Sequence, residues 1–430
     1  MKKSILAVVA LFSAGAASAE TYAIQAGRLI VDASKPARGP STVVVENGRI
    51  VRIEAGATAP AGATIVDMRG KTVMPGLIDV HVHLTYTAGL PWYESLQTKW
   101  SSPYYATVGL KHAAEMARAG FTTVRDLGGG NLSSLAVRDA LSEGGFDGPR
   151  VLVSGETLSV IGGHGDSIVG LAPEIGDALN RAQPQIGVCT GADECSRAVH
   201  KLAALGVDVI KFHATGGVLD AGARGLEQHL TQAEMNAIVG TAHQLHLKAA
   251  AHAHGARGIE AAARAGVDSI EHGTFIDDAG VRAMKANGSA YSATLMAFTG
   301  VQAGLGKGIF TGNSEVKARQ ALAKWGDGLK LAYRGGVKIV LGTDSAVAPH
   351  SKAGQELGLM VTRGGMTPRD ALIAATKNGA ELLGLSAETG TLDAGKSADL
   401  IAVDGDPLAD PAAVTRIHYV MVMGRPISLK

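Results

Sequence analysis

Two histidines one residue apart, His81 and His83 in GLIDVHVH, stand at the end of a short apolar run. In an extended strand residues i and i+2 point to the same side, so both imidazoles address one target. Alone, such a pair serves polar packing as readily as metal binding. Four more ionisable residues close similar runs: Lys211 in VIKFHA, His252 in AAAHAHG, His272 in SIEHG and Asp344 in LGTDS. Imidazole nitrogen and carboxylate oxygen are the donors that borderline divalent cations prefer. Their coincidence at strand ends points to a metal centre.

Each of these residues has a plainer alternative. An unpaired ammonium in an apolar strand is costly to bury, so Lys211 calls for a partner such as Asp126 or Glu271. The other outcome is chemical: desolvation lowers the lysine pKa, and the neutral amine combines with carbon dioxide to give a carbamate that can bridge two cations. Asp344 follows Gly342-Thr343, where a helix N-cap is the common use of an aspartate. His254 shares a face with His252 and is either a further ligand or a substrate contact, with His252 preferred for ligation. His213 lies two residues beyond Lys211 on the same face and reads as a supporting or pocket residue. Tyr86, Trp92 and Tyr93 follow the first strand and either line a pocket or pack its loop. Gly216-Gly217 are expected to let backbone approach the site closely. His112, His200, His229, His243, His246, His350 and His418 read as helix or surface positions.

The elements that must position these groups follow from periodicity. Residues 22–73 alternate apolar and polar, broken by turns such as Glu46-Asn47-Gly48, and the same texture returns only at the far end, in TGTLDAGKSADLIAVDGDP and RIHYVMVMGRPI. Between them, eight strand-like runs alternate with Ala-rich helices expected at about 105–119, 192–205, 232–245, 257–265 and 314–333. This pattern predicts an α/β fold: a parallel (β/α)8 TIM barrel over residues 76–390, whose strand C-termini carry the chemistry, with the two β-rich ends, residues 20–75 and 391–430, folding together. Gly162–Gln185 is a Gly-rich insertion expected to lie over the active face.

Composition excludes several classes. With 40 Lys plus Arg against 39 Asp plus Glu and no basic block, nucleic-acid binding has no electrostatic footprint. A hydrophobic fraction of 46% with 18% charged residues excludes a disordered chain. Met1-Lys2-Lys3, the apolar run Ile5–Phe12 and Ala17-Ser18-Ala19 read as a signal peptide cleaved after Ala19, placing the protein in the periplasm or outside the cell. No later run is long enough to predict a membrane span. Cys189 and Cys195 are the only cysteines, and a bridge and two packed thiols both remain open. Gly128-Gly129-Gly130 is not a dinucleotide fingerprint, and Ser154 and Ser345 lack a GxSxG elbow.

GLIDVHVHL, IKFHATGG, AAAHAHG, GVDSIEHGT, LGTDS and the C-terminal GTLDAGKSADLIAVDGDP together resemble the metal-dependent amidohydrolase superfamily, over nearly the whole chain. Within it they resemble the imidazolonepropionase-like branch that includes Xaa-Pro dipeptidase (prolidase)-type enzymes and ochratoxin-hydrolysing amidohydrolases. The resemblance implies a distorted barrel with a small β-sandwich built from both chain ends, residues 20–75 and 391–430, and two divalent cations, usually zinc: His81, His83 and Asp344 on one, His252 and His272 on the other, and N6-carboxylated Lys211 on both. It implies metal-activated water as nucleophile, Asp344 carrying its proton to the departing amine. His164 in GGHGD is then placed to hydrogen-bond the carbonyl oxygen. The expected substrates are small amides, dipeptides or N-acyl amino acids, with ochratoxin A as one such amide, and relatives suggest a homo-tetramer or homo-octamer. A cyclic-amide hydrolase or deaminase is the alternative, against which a bridging lysine argues. A non-catalytic periplasmic binding protein is the remote one, against which the complete ligand set argues.

Overall fold

The computed structural model describes residues 20–90, 101–222 and 224–430. The expected leader at 1–19, and Trp92 and Tyr93, lie outside the described residues. The N-terminal strands are β1 Thr21–Leu29, β2 Ser41–Glu46, β3 Arg49–Ala55 and β4 Thr64–Pro75. The eight expected barrel strands follow as β5 Leu77–Val82, β6 Phe121–Asp126, β7 Arg150–Val153, β8 Val209–His213, β9 Lys248–Ala253, β10 Ser269–His272, β11 Ala290–Ser292 and β12 Ile339–Val340. The C-terminal strands are β13 Leu400–Val403, β14 Ile417–Val422 and β15 Arg425–Pro426.

β5 to β7 and β8 to β12 form two parallel arcs. A few backbone bonds close the seams. Val80 N–H donates to Leu341 O at 2.9 Å and Asp344 N–H to His81 O at 2.8 Å across β5 and β12, and Leu158 N–H donates to Lys211 O at 2.8 Å beside β8. The barrel is distorted because β7 stops at Val153 and its path beside β8 resumes only as the isolated Leu158–Phe212 bridge.

The two chain ends join as expected, but as one seven-stranded mixed sheet, ordered β15-β14-β13-β4-β1-β2-β3, where a two-layer sandwich was expected. The long β4 is the reason: it runs parallel to β1 and antiparallel to β13, so one strand ladders both ends of the chain. Ile24, Val43, Val45, Ile50, Leu400 and Met421 form an apolar cluster of their own beneath this sheet.

Helices occupy the expected places, for example Gln232–Gln244, begun by a capping box of Thr231 and Glu234. The helix expected over 314–333 is two helices, Gly312–Leu322 and Asp327–Arg334. Gly326 breaks it: its φ is 92°, and a Cβ there would sit 2.7 Å from Arg363 O. Cys189 and Cys195 are bridged, with an S–S distance of 2.02 Å, at the start of helix Ala192–Ala204. No helix among the described residues is long and apolar enough to cross a membrane.

Candidate metal centre

The ends of β5, β8, β9 and β10 and the turn after β12 bring His81, His83, Lys211, His252, His272 and Asp344 to one cavity of about 800 Å³. His81, His83 and Asp344 form one donor group, His252, His254 and His272 a second, and His164, His213 and His252 a third that shares His252, with the ligand atoms of each group within 4.8 Å of one another. Asp344 Oδ1 lies 3.3 Å from His83 Nε2 and 3.5 Å from His81 Nε2. Its carboxylate faces these imidazoles instead of capping a helix.

Each imidazole is oriented through its other nitrogen. His81 Nδ1 bonds Glu271 Oε2 at 2.9 Å, His83 Nδ1 donates to Gly128 O at 2.8 Å, and the Nδ1 atoms of His254 and His272 pair at 2.8 Å with the hydroxyls of Thr274 and Thr294. That leaves Nε2 of each for the cavity, the arrangement by which buried carboxylates, carbonyls and hydroxyls hold metal-ligating histidines. His252 differs: its Nε2 is 3.3 Å from Gly216 O, leaving Nδ1. Burial pushes His81 down to about 4 and, with the neighbouring His164 charge second, His254 down to about 3, so both remain neutral donors.

The sequence reading left Glu271 as a partner for Lys211; the fold gives it to others. Arg125 donates to Glu271 Oε1 at 2.9 Å and to Val80 O at 2.6 Å, and Glu271 in turn holds His81. Burial pushes the Glu271 carboxyl up, but Arg125 first and His81 second outweigh it and hold it down to about 2. Lys211 has no carboxylate at salt-bridge distance among the described residues; its ammonium nitrogen lies 3.4 Å from His81 Nε2. Burial pushes its ammonium down to about 8 against the pull of Glu271 and Asp344, so an appreciable share of the amine is neutral near physiological pH. Burial pushes Asp344 up, yet the surrounding imidazoles, His81 foremost, hold it well below the usual carboxylate range.

Backbone strain concentrates here. His272, Thr294 and Asp344 have φ of 70°, 49° and 56°, a left-handed geometry that costs a non-glycine residue on the order of 1–3 kcal/mol. It is braced from behind. Asp79, under the site, accepts from His81 N–H, Thr343 N–H and the Thr343 hydroxyl, and the buried Glu356 accepts from Leu295 and Met296 N–H.

The insertion does reach the cavity. His164 Nδ1 pairs with Asp220 Oδ2 at 3.0 Å, and Asp220 is held by Lys317 Nζ at 2.5 Å and Gly217 N–H at 2.7 Å. Burial pushes Asp220 up, but His164 and then Lys317 keep it well below the usual range. A Cβ at Gly217 would lie 2.2 Å from the His164 ring, so the expected close approach at this glycine is required. His213 is buried beside His164 and His252, its Nδ1 without a hydrogen-bond partner among the described residues. Tyr86 lines the cavity next to His83.

Sequence reasoning missed Arg125, Asp220 and Lys317, whose partners come from distant segments, and the apolar wall of Phe298, Val301 and Phe310. The LMAFTGV run was the signal for that wall, an apolar helix beside a barrel mouth. His112 lies on a helix as expected, Ser102–Arg118, and His350 opens the short helical turn His350–Lys352; both are buried, 4% and 1% exposed, and their rings stack with centroids 4.0 Å apart.

The chain matches the amidohydrolase family over residues 72–427. It is 34% identical over 424 residues to ochratoxinase from Aspergillus niger, covering 93% of this chain and 85% of that protein. It is 26% identical over 384 residues to imidazolonepropionase from Xanthomonas oryzae pv. oryzae, covering 86% and 88% of the two chains. The crystal structure of a Xaa-Pro dipeptidase with methionine bound in its active site superposes with a TM-score of 0.87 at 33% identity, covering 95% of this chain and 99% of that one.

Proposed function

We propose that this chain, which belongs to the amidohydrolase family, is an exported, binuclear metal-dependent hydrolase that cleaves amide bonds of dipeptides or N-acyl amino acids. One observation carries the reading: two groups of oriented donors flank a buried lysine that has no carboxylate partner. His81, His83 and Asp344 would hold one cation, His252 and His272 the other, and Lys211 as a carbamate both; the nitrogen and oxygen donor set suits zinc. Such cations, when bound, lower the pKa of water and polarise a carbonyl.

The chain's own groups do the rest. Asp344, ionised among its imidazoles, accepts the proton of the attacking water and delivers it to the amine nitrogen, which cannot depart as an anion. His164, aligned by Asp220 through Nδ1, presents Nε2 to the scissile carbonyl oxygen. His254, His213 and Tyr86 contact the substrate around the scissile bond. Phe298, Val301 and Phe310 seat an apolar side chain and keep water from the cavity. The names of two relatives, ochratoxinase and Xaa-Pro dipeptidase, favour amides whose leaving group is an amino acid, ochratoxin A among them, released as ochratoxin alpha and phenylalanine. The leader-like residues 1–19 favour export.

The test is to reconstitute metal-stripped protein with zinc and measure free amino acid released from a library of dipeptides, N-acyl amino acids and ochratoxin A. Metal-dependent release, best for amides with an apolar residue, is the expected result. A fully loaded protein that hydrolyses none of them contradicts it.

A further inference from the structure

Most of the charged side chains that line the cavity are occupied. Asp344 stands among the imidazoles, Lys211 lies beside His81, and Asp220 is paired with His164 and Lys317. Asp166 accepts from Gly162 N–H, Ile168 N–H and the Gln185 side-chain amide within the insertion. One anion and one cation remain, Glu156 and Lys307; both line the cavity, and neither is in an ion pair among the described residues.

The two stand on opposite sides of the mouth. Glu156 follows β7, its carboxylate pinned by Ile186 N–H at 2.7 Å and Gly187 N–H at 3.3 Å. Lys307 lies just past helix Leu295–Gly304, which follows β11. β7 and β11 are the third and seventh of the eight barrel strands, so the segments after them face each other across the site. Lys307 sits at the exposed edge of the apolar wall: Phe298 and Val301 come from the helix before it, and Phe310 follows three residues later. Gly306 and Gly308 on either side have φ of 71° and 70°, so the chain bends tightly at the lysine. The wall itself is firmly backed, because Phe298 stacks on Trp325 at 5.9 Å and Arg363 covers Trp325 at 4.4 Å.

An apolar wall with a cation at its edge matches an amino acid that carries an apolar side chain and a free α-carboxylate. The same carboxylate would meet Glu156 if the substrate were turned round, and like charges brought together are unfavourable. We propose that Lys307 receives the free α-carboxylate of the amino acid to be released, which sets the leaving residue on the β11 side and the acyl part on the Glu156 side. This inference rests on the amide-hydrolysing reading above and narrows its substrates to amides of amino acids whose carboxylate is unblocked.

The test takes the best substrate of the amide library in two forms, free acid and C-terminal carboxamide, with zinc-loaded full-length wild type, K307M and K307E. Wild type is expected to prefer the acid by about tenfold or more in kcat/KM, the worth of a charge-assisted contact. K307M should lose most of that preference through a raised KM for the acid, and K307E should reverse it. Lys307 is exposed, so both variants are expected to fold as wild type does. If K307M keeps the wild-type preference, or wild type shows none, this inference falls while the amide-hydrolysing reading stands. If wild type hydrolyses no member of the library, that reading falls and this inference with it.

Discussion

At the floor of the cavity buried groups lean on one another in a chain: His81 on Glu271, Glu271 on Arg125, Arg125 on the carbonyl of Val80. The outer wall is made differently. The insertion's helix Pro173–Ala182 buries only Gly176, and His164 is held through Asp220 and Lys317, which come from a loop and a helix. The floor is strand-built and fully desolvated; the wall is loop-built and half-open. Rigid elements fix reacting groups to fractions of an ångström, whereas loops tolerate the variation that sets substrate choice. Chemistry is therefore expected to fail when the floor is touched, and selectivity or rate to be graded when the wall is.

The largest effect falls on the floor's proton carrier. On the proposed mechanism D344N lowers kcat by about 10²–10⁴-fold, measured on protein reloaded with zinc; a loss under about tenfold would move proton transfer to the wall. R125M comes next: it leaves Glu271 ionised, buried and short of its main partner, which costs on the order of 3–5 kcal/mol, read from the urea midpoint. A midpoint unchanged from wild type would mean that the floor is not held by this pair.

At the wall, H164N is expected to lower kcat by about 10²–10³-fold with stability close to wild type, which separates positioning of the carbonyl from support of the fold. The smallest effect concerns acid. Asp220 ionises well below its usual value of 3.8 in the folded chain, so it adds stability above that value and loses it as pH falls through the folded pKa. D220N should therefore show a flatter loss of stability than wild type below about pH 4, followed by thermal unfolding across an acid series. Parallel curves would remove the ion pair from the account.

The strands and the six strand-end residues were legible because period-2 alternation and the His81–His83 spacing are local signals. The joining of the two ends was legible in their shared texture, but not that they share one sheet, since only the folded chain shows β4 laddered to β1 on one side and β13 on the other. The Arg125–Glu271 pair joins β6 to β10, and the His112–His350 stack joins a helix to a turn 238 residues later. Such contacts exist only after the barrel closes, so no window of sequence displays them. Gly326 was visible as a glycine, but its φ of 92° and its contact with Arg363 O were not.

On the proposed reading, His81, His83, Asp344, His252 and His272 would hold two cations bridged by a modified Lys211. The most direct measurement is anomalous diffraction at the zinc edge from crystals of zinc-loaded protein grown with bicarbonate. Two peaks, one at His81, His83 and Asp344 and one at His252 and His272, with continuous density for a carbamate on Lys211 between them, are predicted. A single peak, or two peaks beside an unmodified lysine, would contradict the account.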